Sequence, residues 1–151
     1  MNHNLHQENL HNPSLLLDCA DSVARIIETI RATESVYHIA VCGMSGAVVG
    51  GLVSAFCELP LTIIRKESDV HHSSYNVQGC SINSEKSYVI VDDLIDSGKT
   101  IRLIADKLEK ELCRCVGIIV YCEEFDSYTE RAINNGYFDW YGTKIKVFKA
   151  Y

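Results

Sequence analysis

One stretch near the middle of the chain decides the fold: VIVDDLIDSGKT, residues 89–100. It starts with apolar β-branched residues, continues with two carboxylates, and leads into a segment with helical periodicity. A continuous apolar run without polar alternation is typical of a strand buried on both faces of a parallel sheet. The pattern therefore predicts a strand over residues 88–91, two surface carboxylates at its end, a short loop, and a helix over residues 100–112.

Apolar runs and helical patterns alternate on both sides of this stretch. Asn12 before Pro13 predicts the start of the first helix, and Asn135-Gly136 predicts the end of the last. We predict further strands over residues 37–42, 61–64, 116–121 and 144–148, and helices over residues 13–32, 46–57 and 127–134. This alternation predicts an α/β fold, a Rossmann-like parallel sheet flanked by helices, with ligands bound outside the carboxyl ends of its strands.

Size and charge narrow the class of protein. At 151 residues the chain fits a single domain, residues 1–151, and its polar residues 1–11 are expected to form a flexible tail. The 47% hydrophobic content excludes a mainly disordered chain. The net charge of -6 argues against a general binder of nucleic acids or anionic membranes.

Two features bear on the chain's environment. The seven cysteines are odd in number and scattered, so we expect no disulfide framework and a reducing, cytoplasmic location. Residues 36–57 carry no Asp, Glu, Lys or Arg and are long enough to span a bilayer. Gly43-Met44-Ser45-Gly46 divides this segment, which we therefore interpret as a buried strand, a tight loop and a buried helix.

The central stretch also carries the chemistry. Free amides at a helix N-terminus form an anion site, and Gly98 allows a phosphate to approach the backbone closely. A P-loop would need glycine five residues before the Gly-Lys pair, where this chain has Asp93. Asp92 and Asp93 suit sugar hydroxyls or a divalent cation better than a nucleoside triphosphate.

Together these residues resemble the motif with which type I phosphoribosyltransferases bind 5-phosphoribosyl-1-pyrophosphate (PRPP), and the resemblance extends over about residues 37–121. It implies that family's fold, with a small hood. It implies that Asp92 and Asp93 hold the ribose hydroxyls, directly or through Mg²⁺ as the cofactor. The 5-phosphate would be bound by Ser97, Gly98, Lys99 and Thr100.

Other segments match the family in order and spacing. The resemblance implies pyrophosphate contacts from the loop after the first strand and from basic residues after the second: Gly43, Met44, Ser45, Gly46, Arg65 and Lys66. Residues 67–85 correspond to the family's mobile catalytic loop. Within that loop Ser74-Tyr75 resembles a pair in hypoxanthine-guanine enzymes. Phe138 and Trp140 lie where the family stacks the base, although ordinary packing of the last strand explains them as well.

Asp96 separates the possible substrates. In the 6-oxopurine enzymes an Asp at this position faces the purine N7 as general acid/base, so the resemblance makes Asp96 the catalytic residue; the alternative is that it only braces the loop. Those enzymes also carry a Lys after the next strand, whereas residues 120–124 here read VYCEE. That departure puts the identity of the base in doubt.

The resulting hypothesis is an enzyme of purine salvage that transfers phosphoribose from PRPP to a nucleobase, a 6-oxopurine, and releases pyrophosphate. Its expected partners are PRPP, the base and further copies of the chain as a homodimer or higher oligomer, with no nucleic acid and no membrane. Two alternatives stay open: an orotate-type phosphoribosyltransferase, and a regulator that binds PRPP without catalysis.

Overall fold

A computed structural model describes residues 12–66, 77–79, 86–122 and 125–150. The helices of this described part are α1 (Pro13–Arg31), α2 (Gly43–Cys57), α3 (Lys99–Glu109) and α4 (Ser127–Asn135). Its strands are β1 (His38–Cys42), β2 (Leu61–Ile64), β3 (Val77–Gly79), β4 (Ser87–Asp92), β5 (Arg114–Val120), β6 (Tyr137–Trp140) and β7 (Thr143–Lys149). Each predicted element is present, with ends that shift by up to three residues.

The strands form one mostly parallel sheet in the order β3-β2-β1-β4-β5-β7-β6. β1, β2, β4, β5 and β7 are parallel, and the two edge strands β3 and β6 pair antiparallel to their neighbours. The predicted α/β class is therefore confirmed. The strand order reverses between β1 and β4, which is where ligands bind in open sheets of this kind.

Helices cover both faces of the sheet. Ile39 and Val41 of β1 pack in one apolar cluster with α1 and α2, whereas Ala40 and Cys42 pack in the other with α3 and α4. Successive residues of a strand point to opposite faces, so a strand buried on both sides must be apolar throughout. This explains the continuous apolar runs of β1, β4 and β5.

The predicted helix ends are confirmed. The Asn12 side chain accepts hydrogen bonds from the amides of Ser14 (3.1 Å) and Leu15 (3.5 Å), and Pro13 is the first helical residue. Gly136 closes α4 with a φ of 75°, the left-handed conformation that glycine adopts without strain.

The predicted tight loop at residues 43–46 is wrong, because α2 begins directly at Gly43. Gly43 has a φ of 74°, which turns the chain from strand to helix within one residue. A Cβ on Gly50 would lie 2.6 Å from Val41 Cγ1, so glycine at this position allows the helix to pack closely on β1. A Cβ on Gly46 would likewise lie 3.3 Å from Val41 Cβ, so this glycine of the predicted loop also serves the contact between helix and strand.

Two strands were not predicted. β6 pairs with β7 through a turn at Tyr141-Gly142, where φ is 48° and 86°, the left-handed geometry that tight hairpins require. β3 lies inside residues 67–85, for which the resemblance implied a mobile loop and we predicted no strand, and it pairs with β2. Neither strand has the alternation or length that makes a strand visible in a single sequence.

None of the described helices is both long and apolar enough to cross a membrane. The six cysteines within the described ranges form no disulfide. Residues 1–11, predicted as a tail, lie outside the described part of the chain.

Candidate functional site

The carboxyl end of β4 carries the two carboxylates. Asp92 is the last residue of the strand and is 6% exposed, and its Oδ1 accepts a hydrogen bond from the Asp93 amide (3.0 Å). Asp93 Oδ1 accepts from the Leu94 amide (2.8 Å). These local bonds fix the orientation of both carboxylates at the strand end.

Asp92 is not the surface carboxylate that we expected. Burial raises its pKa well above the usual value, the neighbouring charge of Asp93 raises it further, and the ammonium of Lys66 opposes the shift. The carboxylate pair therefore holds a proton more readily than two exposed aspartates would, and a bound cation or hydroxyl groups would stabilise its ionised form.

The loop after the carboxylates leads into an uncapped helix. The Gly98 amide donates to the Ile95 carbonyl (2.7 Å), and Gly98 then starts α3 with a φ of 74° and no side-chain cap. Because no side-chain cap occupies the first amides of α3, their hydrogen-bonding capacity and the positive end of the helix dipole are available to an anion. Lys99 and Thr100, the first residues of the helix, add a cation and a hydroxyl donor.

The side chains of Phe138 and Arg102 pack against this loop at Gly98. A Cβ on Gly98 would lie 2.7 Å from the Phe138 ring and 2.7 Å from Arg102 Nη1. The Arg102 guanidinium lies 5.0 Å from the centre of that ring and donates to the Ser97 carbonyl (3.1 Å). Only glycine fits at position 98, both for its φ and for its neighbours.

Replacing Gly98 by alanine should therefore destabilise the protein and impair the loop. The left-handed φ costs roughly 1–2 kcal/mol and the overpacking against Phe138 about 1–3 kcal/mol. Urea denaturation measures the first effect, and titration with ribose 5-phosphate should show weaker binding.

Gly136→Ala is the matched control for this substitution. Gly136 has nearly the same φ, 75°, but a Cβ there would meet nothing within 4 Å. We expect the φ penalty alone and unchanged phosphate binding. Equal losses of stability in the two variants would show that packing under the loop is unimportant.

Asp96 lies between the carboxylates and the helix in an unusual conformation. Its φ is 46°, which costs a residue other than glycine on the order of 1–3 kcal/mol and persists only where the surroundings impose it. Its amide lies 3.3 Å from Thr129 Oγ1, and the residue itself is exposed. Strained residues of this kind are frequent at functional sites.

These groups surround one cavity of about 390 Å³ at the carboxyl edge of the sheet. Its walls combine three aspartates, two lysines, two hydroxyl residues and three apolar residues. The lining residues are Lys66, Asp92, Asp93, Leu94, Ile95, Asp96, Ser97, Lys99, Thr100 and Leu103. The structure thus brings together the carboxylate pair, Asp96, most of the predicted phosphate loop and one of the two predicted basic residues.

Other predicted residues lie elsewhere. Gly43, Met44, Ser45 and Gly46 form the first turn of α2, at the same edge of the sheet but not among the lining residues, and Arg65 follows β2, also outside the lining. Ser74 and Tyr75 lie outside the described residues.

The structure does not place the two base-stacking candidates in the cavity. Phe138 is 2% exposed beneath Gly98, and Trp140 Nε1 donates to Asp106 Oδ1 of α3 (3.0 Å). Trp140 lines a separate pocket with Tyr88 and Arg114. The pairing of β6 with β7 turns both aromatic side chains toward α3, which gives them packing roles.

Thr129 is the residue of this region that the sequence reasoning missed. It lies on α4, is fully buried, and accepts hydrogen bonds from the loop through its hydroxyl. A threonine inside a short helical pattern gives no local signal of such a contact.

The sequence matches the family of phosphoribosyl transferase domains over residues 6–148. The chain therefore belongs to this family, as its PRPP-type motif indicated.

Two curated relatives show how far the similarity extends. Uridine 5'-monophosphate synthase of Naegleria gruberi is 28% identical over 87 residues, 56% of this chain and 18% of that protein. Ribose-phosphate pyrophosphokinase of Mycoplasma pneumoniae is 28% identical over 93 residues, 59% of this chain and 28% of that protein. The chain thus spans less than a third of the length of either relative.

Solved structures share the fold. Adenine phosphoribosyltransferase of Saccharomyces cerevisiae superposes with a TM-score of 0.72 at 14% identity, over 94% of this chain and 82% of that one. Orotate phosphoribosyltransferase of Francisella tularensis gives a TM-score of 0.63 at 18% identity, over 92% and 67%. Neither structure is of an enzyme named for a 6-oxopurine, so the fold alone does not distinguish the base.

Proposed function

We propose that this chain is a phosphoribosyltransferase that moves the phosphoribosyl group of PRPP to a nucleobase and releases pyrophosphate. The observation that carries the proposal is the cavity, because it combines the three groups that PRPP needs. A carboxylate pair suits the ribose hydroxyls, an uncapped helix start suits the 5-phosphate, and Lys66 suits the pyrophosphate.

In this proposal Asp92 and Asp93 accept hydrogen bonds from the 2- and 3-hydroxyls of ribose. Ser97, Gly98, Lys99 and Thr100 bind the 5-phosphate through amides, hydroxyls and one ammonium. The buried position of Asp92 gives its hydrogen bonds a low-dielectric environment, where they are stronger than in water.

The residues present also fit Mg²⁺. Within the described ranges no three His, Cys, Asp or Glu residues converge on one point, so this part of the chain alone forms no closed metal cage. One or two carboxylates completed by substrate oxygens is the usual arrangement for Mg²⁺, and Asp92 and Asp93 would supply those carboxylates. The ion would neutralise charge on the substrate oxygens when bound.

Pyrophosphate would leave toward the end of β1. The start of α2, residues 43–46, has no side-chain cap and lies at the carboxyl end of the strand next to β4. Its amides, with Arg65 and Lys66, would stabilise the negative charge that develops as the bond to ribose C1 breaks.

The reacting centre passes through an oxocarbenium-like state while a base nitrogen forms the new bond to C1. The chain's main contribution would be to position the two reactants and neutralise charge. Residues 67–85, proposed as the loop that closes over the site, lie largely outside the described part.

A 6-oxopurine is our first choice of base. Its support is Asp96, an exposed residue on the cavity wall whose carboxylate would act as general acid/base at the purine N7. The second candidate is orotate, favoured by Lys66 on the same wall: its ammonium would then pair with the carboxylate of that base and leave the pyrophosphate to Arg65 and the start of α2.

We also propose that the chain works as a single domain and self-associates. α2 carries no charged residue, yet Met44 is 81% and Phe56 49% exposed on it, which suits an apolar contact between copies.

An assay of pyrophosphate release from PRPP and Mg²⁺ against hypoxanthine, guanine, xanthine, adenine, orotate and uracil tests the function. Release with at least one base is expected, highest with a 6-oxopurine. Saturable PRPP binding without release for any base would instead identify a regulator, and absence of PRPP binding would refute the site itself.

A further inference from the structure

Thr129 connects α4 to the loop of the candidate site. Its hydroxyl oxygen accepts hydrogen bonds from the amides of Ile95 (2.9 Å) and Asp96 (3.3 Å), and the residue is fully buried. Its own amide donates to Asp126 Oδ1 (2.9 Å), the cap of α4. The helix start therefore fixes the hydroxyl, and the hydroxyl fixes two consecutive loop amides.

The contact uses the full acceptor capacity of the hydroxyl. A threonine oxygen has two lone pairs, and here it accepts hydrogen bonds from two adjacent amides. The second amide belongs to Asp96, whose φ of 46° needs an external constraint to persist. Thr129 supplies that constraint from 33 residues away in the sequence.

The connection from β5 to α4 is tied to the carboxylate pair as well. The Tyr121 amide donates to the Asp92 carbonyl (3.2 Å), and the Cys122 amide donates to the Asp93 carbonyl (3.0 Å). Residues after β5 thus hydrogen-bond to the loop backbone at three points. Two are the carbonyls of Asp92 and Asp93, and the third, bonded from α4, is the amide of Asp96.

We propose that Thr129 is a positioning residue that holds the Asp96 carboxylate toward the reacting base. The proposal rests on the function proposed above. It predicts that the hydroxyl matters for the chemical step more than for PRPP binding, because the phosphate-binding amides belong to the start of α3 and not to Thr129.

Thr129→Val tests this, since valine keeps the shape and removes the acceptor. We expect kcat to fall about 10²-fold, the effect of a displacement near 1 Å at a reacting group, with little change in the KM for PRPP. Thr129→Ser keeps the hydroxyl and should restore most of kcat. A serine variant as impaired as the valine variant would overturn the proposal.

Thr62→Val is the matched control. Thr62 is also fully buried, and its Oγ1 lies 3.0 Å from His38 Nδ1 on the far side of β1 from β4. This variant should lose stability without losing kcat. An equal fall of kcat in Thr62→Val would show that Thr129 acts only through general stability.

Combining Thr129→Val with Asp96→Asn separates positioning from additive damage. If Thr129 acts through Asp96, valine should cost little further rate once the carboxylate is gone. Fully additive losses would contradict the proposal.

Amide exchange of Ile95 and Asp96, followed by NMR, needs no activity. It should accelerate in Thr129→Val and stay slow in Thr62→Val. Absence of turnover in the wild type would refute the proposed function alone, whereas unchanged exchange at both amides would refute the role of Thr129 whatever the activity.

Discussion

Replacing Asp96 by asparagine should lower the rate of phosphoribosyl transfer to a purine about 10²–10⁴-fold, the usual range for losing a general acid/base. Asparagine keeps the size and can adopt the left-handed φ of 46°, so the loop itself should survive. PRPP affinity should change little, because the phosphate would be bound by the amides at the start of α3.

Single-turnover kinetics with hypoxanthine, guanine or xanthine measures this effect, and PRPP titration measures the affinity. Asp139→Asn is the control, since Asp139 is an exposed aspartate that accepts from the Gly142 amide (2.8 Å) on the edge strand β6. Loss of PRPP binding together with rate would mean that Asp96 only braces the loop. Turnover with orotate alone, insensitive to the substitution, would select the second candidate base.

The order of strands and helices was predictable because the buried strands of this sheet consist of short, locally apolar runs. β1, β4 and β5 are apolar at consecutive positions, and α3 carries its apolar residues on one face. The start of α2 was not predictable, because whether glycine breaks a helix or allows close packing depends on the partner, here Val41.

Apart from Lys66, which was predicted from its place after the second strand, the candidate site was predicted only where its residues are contiguous. Residues 92–100 form one motif, so their spacing already placed the carboxylates next to the helix start. Phe138 and Thr129 come from distant segments, and nothing near them in sequence reveals that one supports Gly98 and the other holds Asp96. The burial of Asp92 likewise depends on residues that are distant in sequence and pack around the strand end. One of them is Tyr121, whose amide donates a hydrogen bond to the Asp92 carbonyl.

Replacing Asp92 and Asp93 together by asparagine should weaken PRPP binding about 10²–10⁴-fold, while Asp92→Asn alone should make the protein more stable at neutral pH. The affinity estimate follows from two charged hydrogen bonds at roughly 1.5–3 kcal/mol each, with every 1.4 kcal/mol worth about tenfold. The dependence of PRPP affinity on Mg²⁺ should fall with it, because both proposed carboxylate ligands are gone.

The stability effect has the opposite sign because burial and Asp93 raise the pKa of Asp92 in the folded state. The folded protein then binds a proton more readily than the unfolded chain, so this group favours folding most below its ordinary pKa and loses that contribution as pH rises through the folded pKa. An asparagine side chain at this position has no charge to bury, and its oxygen can still accept from the Asp93 amide.

Urea denaturation at a series of pH values from about 4, the ordinary pKa of an aspartate, upward measures the difference between Asp92→Asn and the wild type. We expect a gain in the free energy of unfolding that grows with pH, and a smaller one in Asp93→Asn, which removes only the neighbouring charge that helps to raise the pKa of Asp92. A loss of stability in Asp92→Asn at neutral pH would contradict the raised pKa. A gain in stability in Asp92→Asn together with unchanged PRPP affinity in the double variant would show that the carboxylates do not bind PRPP. A buried carboxylate that binds PRPP lowers the stability of the fold. Its replacement must therefore both raise the free energy of unfolding and weaken PRPP binding.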